Sequence, residues 1–423
     1  MVVLSTTPSL FFLILSKKRQ TFVDSIRTFS TALVILRERL DLDSELTPSN
    51  QMEGHEFTIW SLVTTPTGQM IISGGQDATI RLWDFSSGKE LHRFVGHEGP
   101  VYNMVMMPDG EHLVSIADKD LAVKIWDLQK RELVSSLAPN SAHVTAVAVS
   151  PDQRFIVTGG EDGFVRVWDV DRGVLLRKTE HEHGIYSMAI SPDGRHILIG
   201  SRRIPGERYP GVVWVRDFEL DTLLHTLDGH KGHVTAITMT ADSKYILSGD
   251  QHGNVYLWDL ETGTLIKTMS GHNAPILTIH ISHDGQHVLT GSPDGTVRVW
   301  VLRGGVLLAS LSHTENVHAL TITQDCRHVI TGNIDGLIQV WDFDLNSPWI
   351  DASKELAEEA KAELEAFRMV QLKKVMTRYE TLPLLRLATL LRFESMEELE
   401  DWLLDLPPEM PVKIDGPHLV IKK

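Results

Sequence analysis

The sequence predicts a mainly β fold: a closed ring of seven four-stranded sheets, with helical segments before and after it. Three observations carry that expectation. Tryptophan closes a recurring unit at Trp83, Trp126, Trp168, Trp258, Trp300 and Trp341, with Arg216 in its place once; the spacings are 41 to 43 residues except for 48 into Arg216. A period in that range marks circular repeat arrays. Each unit alternates apolar and polar residues, as in TIRLW (Thr79–Trp83) and FVRVW (Phe164–Trp168), the period-two pattern of half-buried strands. Between them stand Pro108-Asp109-Gly110 and Ser191-Pro192-Asp193-Gly194, residue types that preset tight reversals. One such unit cannot bury both its faces, whereas seven around an axis can, leaving only short protected edges. Closing the ring requires a strand from the other end of the chain, and Thr47–Glu53 is placed to pair beside the strand ending at Trp341.

Composition narrows the function classes. Of 423 residues, 42% are hydrophobic and 23% charged, a globular balance. The single cysteine, Cys326, excludes an internal disulfide framework and a Cys-based zinc site, which points to a reducing, cytoplasmic setting. A net charge of −16 argues against general binding to a phosphate backbone. The first sixteen residues carry no charged side chain, but Lys17, Lys18 and Arg19 follow the apolar stretch instead of preceding it, the wrong order for a signal peptide. The apolar run Leu10–Leu15 is far too short to span a bilayer. An apolar arm packed on its own protein or on a partner is expected.

The N-terminal arm (1–46) contains a helix over Thr21–Leu40, whose Phe22, Ile26, Phe29, Leu33, Leu36 and Leu40 recur at spacings of four and three and so fall on one stripe. Residues 47–345 hold the repeats. Over 346–381, Asn346-Ser347-Pro348 stops the strand pattern, and Asp351 caps a helix running to about Tyr379. Its acidic residues come first (Glu355 to Glu365) and its basic ones last (Arg368 to Arg378), which complements the helix dipole. In 382–423, short apolar helices over Leu384–Leu391 and Met396–Leu406 precede Val412, Ile414, Leu419 and Ile421, which flank Asp415-Gly416, a hairpin-turn dipeptide.

Two resemblances follow. The Gly-His openings (Gly54-His55, Gly96-His97, Gly229-His230, Gly271-His272), Asp turns and Trp closures recur in phase, and the unit resembles the WD40 repeat of G-protein-β-like propellers. The resemblance implies a seven-bladed β-propeller. The helix, turn, helix, hairpin order at the C-terminus is similar to the winged-helix end of PCI domains, which stack on neighbours in large complexes.

Ser73, His55 and Asp77 are the residue types of a hydrolase triad, but they recur. His97 stands with Asp120 and Trp126, His272 with Thr290, Asp294 and Trp300, and His313 with Thr331, Asp335 and Trp341. In WD40 propellers this set implies a structural relay: a turn Asp accepts from the His, the His meets a hydroxyl, and the hydroxyl accepts from the indole of a Trp such as Trp83. A hydroxyl so engaged is a poor nucleophile, so no catalytic residue is assigned. Repeat three has Asn140 in place of His but keeps Thr158, Asp162 and Trp168. Repeat five keeps His230, Ser248 and Trp258 but has His252 for the Asp. Repeat two has one extra residue between Ser115 and Asp120. Repeat four keeps His181, replaces Trp with Arg216, and lengthens a turn by Arg202–Gly211. His181-Glu182-His183 lacks a third ligand, so neither a metal nor a cofactor is expected.

The same resemblance implies that residues three and five past each His point to the mouth of the central channel. The fifth positions are Trp60, Tyr102, Thr145, Tyr186, Thr235, Leu277 and His318, and the third include His143 and His233. Trp and Tyr on a rigid rim are the residue choice of protein-contact hot spots, although the N-terminal arm could itself cover Trp60. Arg202, Arg203, Arg208 and Tyr209 in the lengthened turn form a local cationic loop, or else a tolerated surface insertion. These residues predict a non-enzymatic scaffold that grips a protein or peptide, acidic where it meets Arg202–Arg208 and apolar where it meets Trp60, Tyr102 and Tyr186. Nucleic acid is disfavoured, because the stretch that corresponds to a reading helix has Glu394, Glu397, Glu398, Glu400, Asp401 and Asp405, with no Lys or Arg between Glu394 and Leu406. An RNA- or ribosome-associated subunit resembling translation-initiation WD-repeat and PCI proteins is the alternative. A sensor for a signalling ATPase is another; with no phosphate-binding Gly-rich Lys motif in this chain, the ATPase would be a separate protein.

Overall fold

Apolar side chains at every second position drive each repeat into antiparallel strands. In the first blade these are Ile59–Thr64, Met70–Gly75, Thr79–Asp84 and Glu90–Val95, hydrogen-bonded in chain order from the channel outward. The computed structural model of the chain describes residues 47–137, 143–201 and 211–345, and beyond them 369, 372, 381–383, 387, 399, 403, 412–415 and 418–421. Among the described residues there are seven four-stranded sheets of this kind, the blades of a β-propeller. The inner strands bury both faces, because each blade is sandwiched between two others, while the outer strand keeps most of its side chains in solvent.

Ring closure follows the sequence expectation. Asn50–Glu53 forms the outer strand of blade seven, antiparallel to Leu337–Asp342, with Asn50 opposite Val340 and Glu53 opposite Leu337. Met52, 1% exposed, is the apolar side chain this strand buries. Blade seven therefore takes one strand from the start of the described chain and three from its far end, so opening the ring would have to break that pairing.

The core lies between blades. Ile72, Ile80, Leu82 and Phe94 of blade one meet Val101, Met104, Leu113 and Trp126 of blade two. Six further clusters of the same kind complete the circle. The blades approach closely: a Cβ on Gly332 of blade seven would sit 2.7 Å from the Ile59 side chain of blade one. The closing residue of each repeat holds one register position, since Trp83 pairs with Ile71, Trp300 with Val288 and Arg216 with Ile197.

The chain divides into two compact units, Val34–Asp351 and Met1–Leu33 with Ala352–Lys423. In the latter, Val412–Asp415 and His418–Ile421 form the expected hairpin, closed by the pair Asp415 and His418. The sequence did not suggest a third strand. Thr381–Pro383 falls between the long helix expected to end near Tyr379 and the short one expected from Leu384, and pairs with His418–Ile421, giving the sheet order first, third, second. Leu372, Leu387, Leu399 and Leu403 are helical and buried. The N-terminal arm, Asn140 and the loop bearing Arg202, Arg203, Arg208 and Tyr209 lie outside the described residues.

Candidate functional site

Turns at one end of the ring carry the relay histidines, and these settle what that end can do chemically. In blade one, His55 Nδ1 lies 3.0 Å from Asp77, His55 Nε2 lies 2.7 Å from Ser73 Oγ, and the Trp83 indole donates to that oxygen at 2.8 Å. An ionised carboxylate only accepts, so Nδ1 carries the proton and Nε2 must accept from the hydroxyl. Blade six repeats the wiring: His272 bonds Asp294 and Thr290, both at 2.8 Å, and Trp300 donates to Thr290 at 2.9 Å. Blade two does so with His97, Asp120, Ser115 and Trp126, and Lys124 adds its ammonium to Asp120. Ser73, Ser115 and Thr290 are fully buried. The wiring is that of a triad, but no substrate can reach the hydroxyls, and each already serves an imidazole and an indole.

Space for the pair comes from backbone. A Cβ on Gly75 would fall 2.3 Å from His55 Nδ1 and 2.7 Å from the Asp77 carboxylate. Burial pushes the Asp77 carboxyl up, but bonds from His55 and Thr79 outweigh it and hold it below the usual carboxylate range. Burial likewise keeps His97 and His272 below the ordinary imidazole value against the pull of their Asp partners. These histidines are neutral struts.

The remaining blades depart from the expected set, each for a visible reason. In blade three, Trp168 donates to Thr158 at 3.0 Å, and Asp162 pairs with Arg166. In blade five, His230 and Trp258 both meet Ser248. The acid of this turn is Asp250, not position 252, and it takes no part in the relay: it is wholly buried and accepts from the Tyr256 hydroxyl at 3.0 Å, not from His230. In blade seven, His313 meets Thr331 at 2.9 Å and Trp341 donates to Thr331 at 3.0 Å. Asp335 does not join them, contrary to the sequence expectation. It is exposed, and His313 Nδ1 faces the Leu311 carbonyl at 3.3 Å instead. Asn333, at the position of Gly75 in blade one and Ser292 in blade six, caps this turn instead, accepting from the backbone N–H groups of Asp335 and Leu337. The Leu337 N–H matches the donor that Asp77 takes from Thr79 and Asp294 from Thr296.

Blade four lacks the relay. Ile199 takes the hydroxyl position, eighteen residues past His181 as Ser73 is past His55, a substitution the sequence reading overlooked. The tryptophan has moved two residues upstream to Trp214, which keeps it on the same face of the strand. His181 packs on Trp214 with ring centroids 4.9 Å apart. Burial, helped by Arg216, pushes His181 down to about 4. Arg216 bonds Asp221 instead.

At the channel mouth the fifth positions divide. Trp60 makes edge contacts with Tyr102 (centroids 5.3 Å) and His318 (4.9 Å), and Tyr186 stacks on His233 at 6.0 Å. Tyr102 and Tyr186 are 38% and 41% exposed. His143 bonds the Asp118 carbonyl at 2.6 Å and lies 3.1 Å from its carboxylate. Thr145 and Thr235 are not free rim contacts: their hydroxyls donate to the carbonyls of Ile185 and Ile276 in the following blades and staple the ring. Leu277 is half-buried. Phe57 (53% exposed) and Ile334 (39%) also belong to this face, joined by the Thr58 hydroxyl donating to the Ile334 carbonyl. Counting three and five residues past each His skips both. Among the described residues no cluster of three or more metal-ligating side chains occurs, and no helix is long and apolar enough to cross a membrane.

Comparison with known proteins agrees with this geometry. The family model for the WD domain, G-beta repeat (WD40), matches residues 46–84, 88–127, 131–169, 173–202, 221–259, 263–301 and 305–342. The fourth match stops short of Arg216, where the relay is lost. The chain is similar to autophagy-related protein 16 of Arabidopsis thaliana, 23% identical over 48% of this chain and 38% of that one. It is also similar to eukaryotic translation initiation factor 3 subunit I of Lodderomyces elongisporus, 28% identical over 32% of this chain and 43% of the relative. A third relative is nuclear distribution protein PAC1 of Arthroderma otae, 28% identical over 35% of this chain and 34% of the relative. The chain thus spans less than half the length of each of these relatives. With seven blades, one register for every closing residue and repeat matches over more than half its length, the chain belongs to the WD40-repeat family.

Proposed function

We propose that the protein is a non-enzymatic, cytoplasmic scaffold that holds a protein or peptide on the histidine-loop face while its C-terminal unit joins a multiprotein complex. The observation that carries this reading is the aromatic group Trp60, Tyr102 and Tyr186, exposed or half-buried at the channel mouth. Holding the blades together requires no aromatic surface there, and rigid Trp and Tyr side chains supply contact area at low entropic cost. The buried relay hydroxyls leave no nucleophile for an enzymatic reading. The test is Trp60→Ala with Tyr102→Ala in the full-length chain. Partners that co-purify with the wild type are expected to be lost from the double variant while its melting temperature stays close to wild type. Unchanged recovery of every co-purifying protein would remove the site.

A subunit role in a larger assembly, with the C-terminal unit as a PCI-like winged helix, is favoured by one further observation. The strand order first, third, second over Thr381–Pro383, Val412–Asp415 and His418–Ile421 suits a wing hairpin with a short strand laid beside it. One relative is named as a subunit of translation initiation factor 3, which makes a ribosome-associated assembly the second reading. It predicts salt-sensitive RNA retention, which a net charge of −16 opposes. Affinity purification of the full chain beside one ending at Asn346 separates the two faces: subunits lost with the truncation belong to the C-terminal unit.

A further inference from the structure

Acidic side chains outnumber basic ones around the aromatic mouth. The loops at this end expose Glu56, Glu98, Glu182, Glu315 and Asp335, and Asp118 stands half-buried at the rim beside His143. Their relation to the mouth is fixed by backbone bonds that tie the two sets of loops together. Asp118 N–H donates to the Pro100 carbonyl, Gln76 N–H to that of Thr58 and Gln251 N–H to that of His233. Lys119 and Lys231 are the exposed cations among the described residues of these same loops. The two tyrosines come from blades two and four, on opposite sides of Thr145. After burial, the largest influences raising the Tyr102 phenol above its ordinary value are the Asp118 carboxylate and the Tyr186 phenol. Register and bonds place them together: Val101 pairs with Ala117, which sets Tyr102 beside Asp118, His143 reaches the Asp118 carbonyl, and the Thr145 hydroxyl donates to the Ile185 carbonyl next to Tyr186, with the Trp60 ring edge-on to Tyr102. The Trp60 indole N–H is itself buried without an acceptor among the described residues.

An aromatic face carries partial negative charge and attracts an ammonium or guanidinium placed within about 6 Å of it. A nearby carboxylate adds to that attraction, and an acidic surround raises the local concentration of cations. An acidic partner segment would meet repulsion at this point, and a purely apolar one would bring no counter-charge to the acidic rim. Resting on the reading of this face as a partner site, we propose that the channel mouth between Tyr102, Tyr186 and Asp118 receives a cationic side chain, lysine or arginine, projecting from the bound protein. The partner segment is therefore basic at its centre. This departs from the sequence-based expectation of a purely apolar contact at Trp60, Tyr102 and Tyr186.

The experiment uses the full-length chain labelled with 15N-tryptophan and follows the Trp60 indole resonance, assigned with Trp60→Phe. The probes are N-acetyl-lysine methylamide and N-acetyl-arginine methylamide, each against N-acetyl-norleucine methylamide, a near-isostere without charge. The cationic probes are expected to shift the resonance saturably, with an affinity about ten-fold above that of norleucine. Asp118→Asn and Tyr186→Leu are each expected to weaken the cation several-fold, leaving norleucine unaffected by the Asp118 change. Equal shifts by all three probes would overturn the cation while leaving an apolar partner site in place. No shift by any probe would also overturn it; if the Trp60→Ala, Tyr102→Ala chain still lost its co-purifying partners, the partner site itself would stand. No shift together with full partner recovery would remove both readings.

Discussion

Blades six and four share a strand order and a histidine at the opening of the repeat, yet different chemistry holds them. In blade six the Trp300 indole, the Thr290 hydroxyl, the His272 imidazole and the Asp294 carboxylate form one chain of bonds. In blade four the hydroxyl position is Ile199 and the indole position is Arg216. Removing the hydroxyl from a relay strands two buried groups at once, an indole N–H and an imidazole nitrogen, at about 1–3 kcal/mol each. A repeat that loses the hydroxyl therefore gains by losing the tryptophan as well. Blade four instead buries Ile199 in the junction with blade three, with Trp214 packed alongside. It adds an outer clamp in which Asp221 accepts from Arg216 and from Thr179 of blade three, while Arg177 donates to the Phe218 carbonyl at 2.8 Å. The hydroxyl and the indole go together: six blades keep both, and blade four, without the hydroxyl, has no indole at that position, whereas blade three does without the His and blades five and seven without the Asp.

The sharpest way to break this comparison is to truncate the closing residue in each blade. Trp300→Ala empties a buried site and strands Thr290, so a loss of roughly 3–5 kcal/mol is expected. Arg216→Ala removes a partly exposed ion pair and is expected to cost about 1 kcal/mol or less. Urea unfolding of the two variants, read by midpoint at unchanged slope, decides. Equal shifts would mean that blade four leans on Arg216 as heavily as blade six leans on its indole.

The strength of the period explains how much of this could be read from sequence. Six tryptophans in phase, strands alternating around them and the closing strand before Glu53 followed from patterning alone, because burial on both faces leaves little choice of register. Asp335 was not legible, because Asn333 two residues earlier takes the turn's backbone donors in its place, a competition that residue types do not announce. The same holds for Asp250, whose buried bond from the Tyr256 hydroxyl exists only in the folded geometry. Ile199 and Trp214 were legible in principle: counting eighteen residues past His181 finds the missing hydroxyl, and the Trp two residues before Arg216 keeps strand parity. At the mouth, Thr235 reads as a rim contact by position and is a staple by geometry, since its acceptor is a carbonyl forty-one residues away in the next blade.

A second test removes the relay's central atom alone. Thr290→Val keeps the shape but strands His272 Nε2 and the Trp300 indole, for an expected loss of about 2–4 kcal/mol, somewhat less than the tryptophan truncation. Ile199→Val in blade four deletes one methylene and is expected to cost about 1 kcal/mol. If Thr290→Val were as mild as Ile199→Val, the hydroxyl would not be the keystone inferred here.

Acid sharpens the comparison differently. Burial pushes His230 and His313 down to about 4. Because the folded form holds its proton less tightly than the unfolded chain, stability is complete above an unfolded value of about 6.5 and falls as pH drops from there towards 4. Each such group is expected to contribute about 1 kcal/mol of loss between pH 6.5 and 5.5. Asp77 and Asp294 have the opposite sign, for their lowered carboxyls contribute stability above the ordinary carboxylate value and lose it only at lower pH. Unfolding midpoints from pH 7.5 to 5 are therefore expected to fall, and His313→Gln to flatten the slope by one group. A flat profile in the wild type would mean that the imidazoles are protonated in place.

The smallest expected effect discriminates best between pattern and structure. Asp294 and Asp335 sit at one position of the repeat, twenty-two residues past His272 and His313. Asp294 accepts from His272, from the Asn273 and Thr296 backbone and from the Thr296 hydroxyl. Asp294→Ala leaves the His272 Nδ1–H and those backbone donors without an acceptor, and at least 1 kcal/mol of loss is expected. Asp335 is exposed, and Asn333 already accepts the turn's backbone N–H groups, so Asp335→Ala is expected to stay within about 0.5 kcal/mol of wild type. Asn333→Gly would then remove the competing acceptor and leave the slot beside His313, with the Leu337 N–H, open to Asp335. In that background Asp335→Ala is expected to become costly, because the carboxylate can now swing onto His313 Nδ1. If Asp335→Ala stays silent with the slot open, the exclusion by Asn333 is not what keeps Asp335 out of the relay.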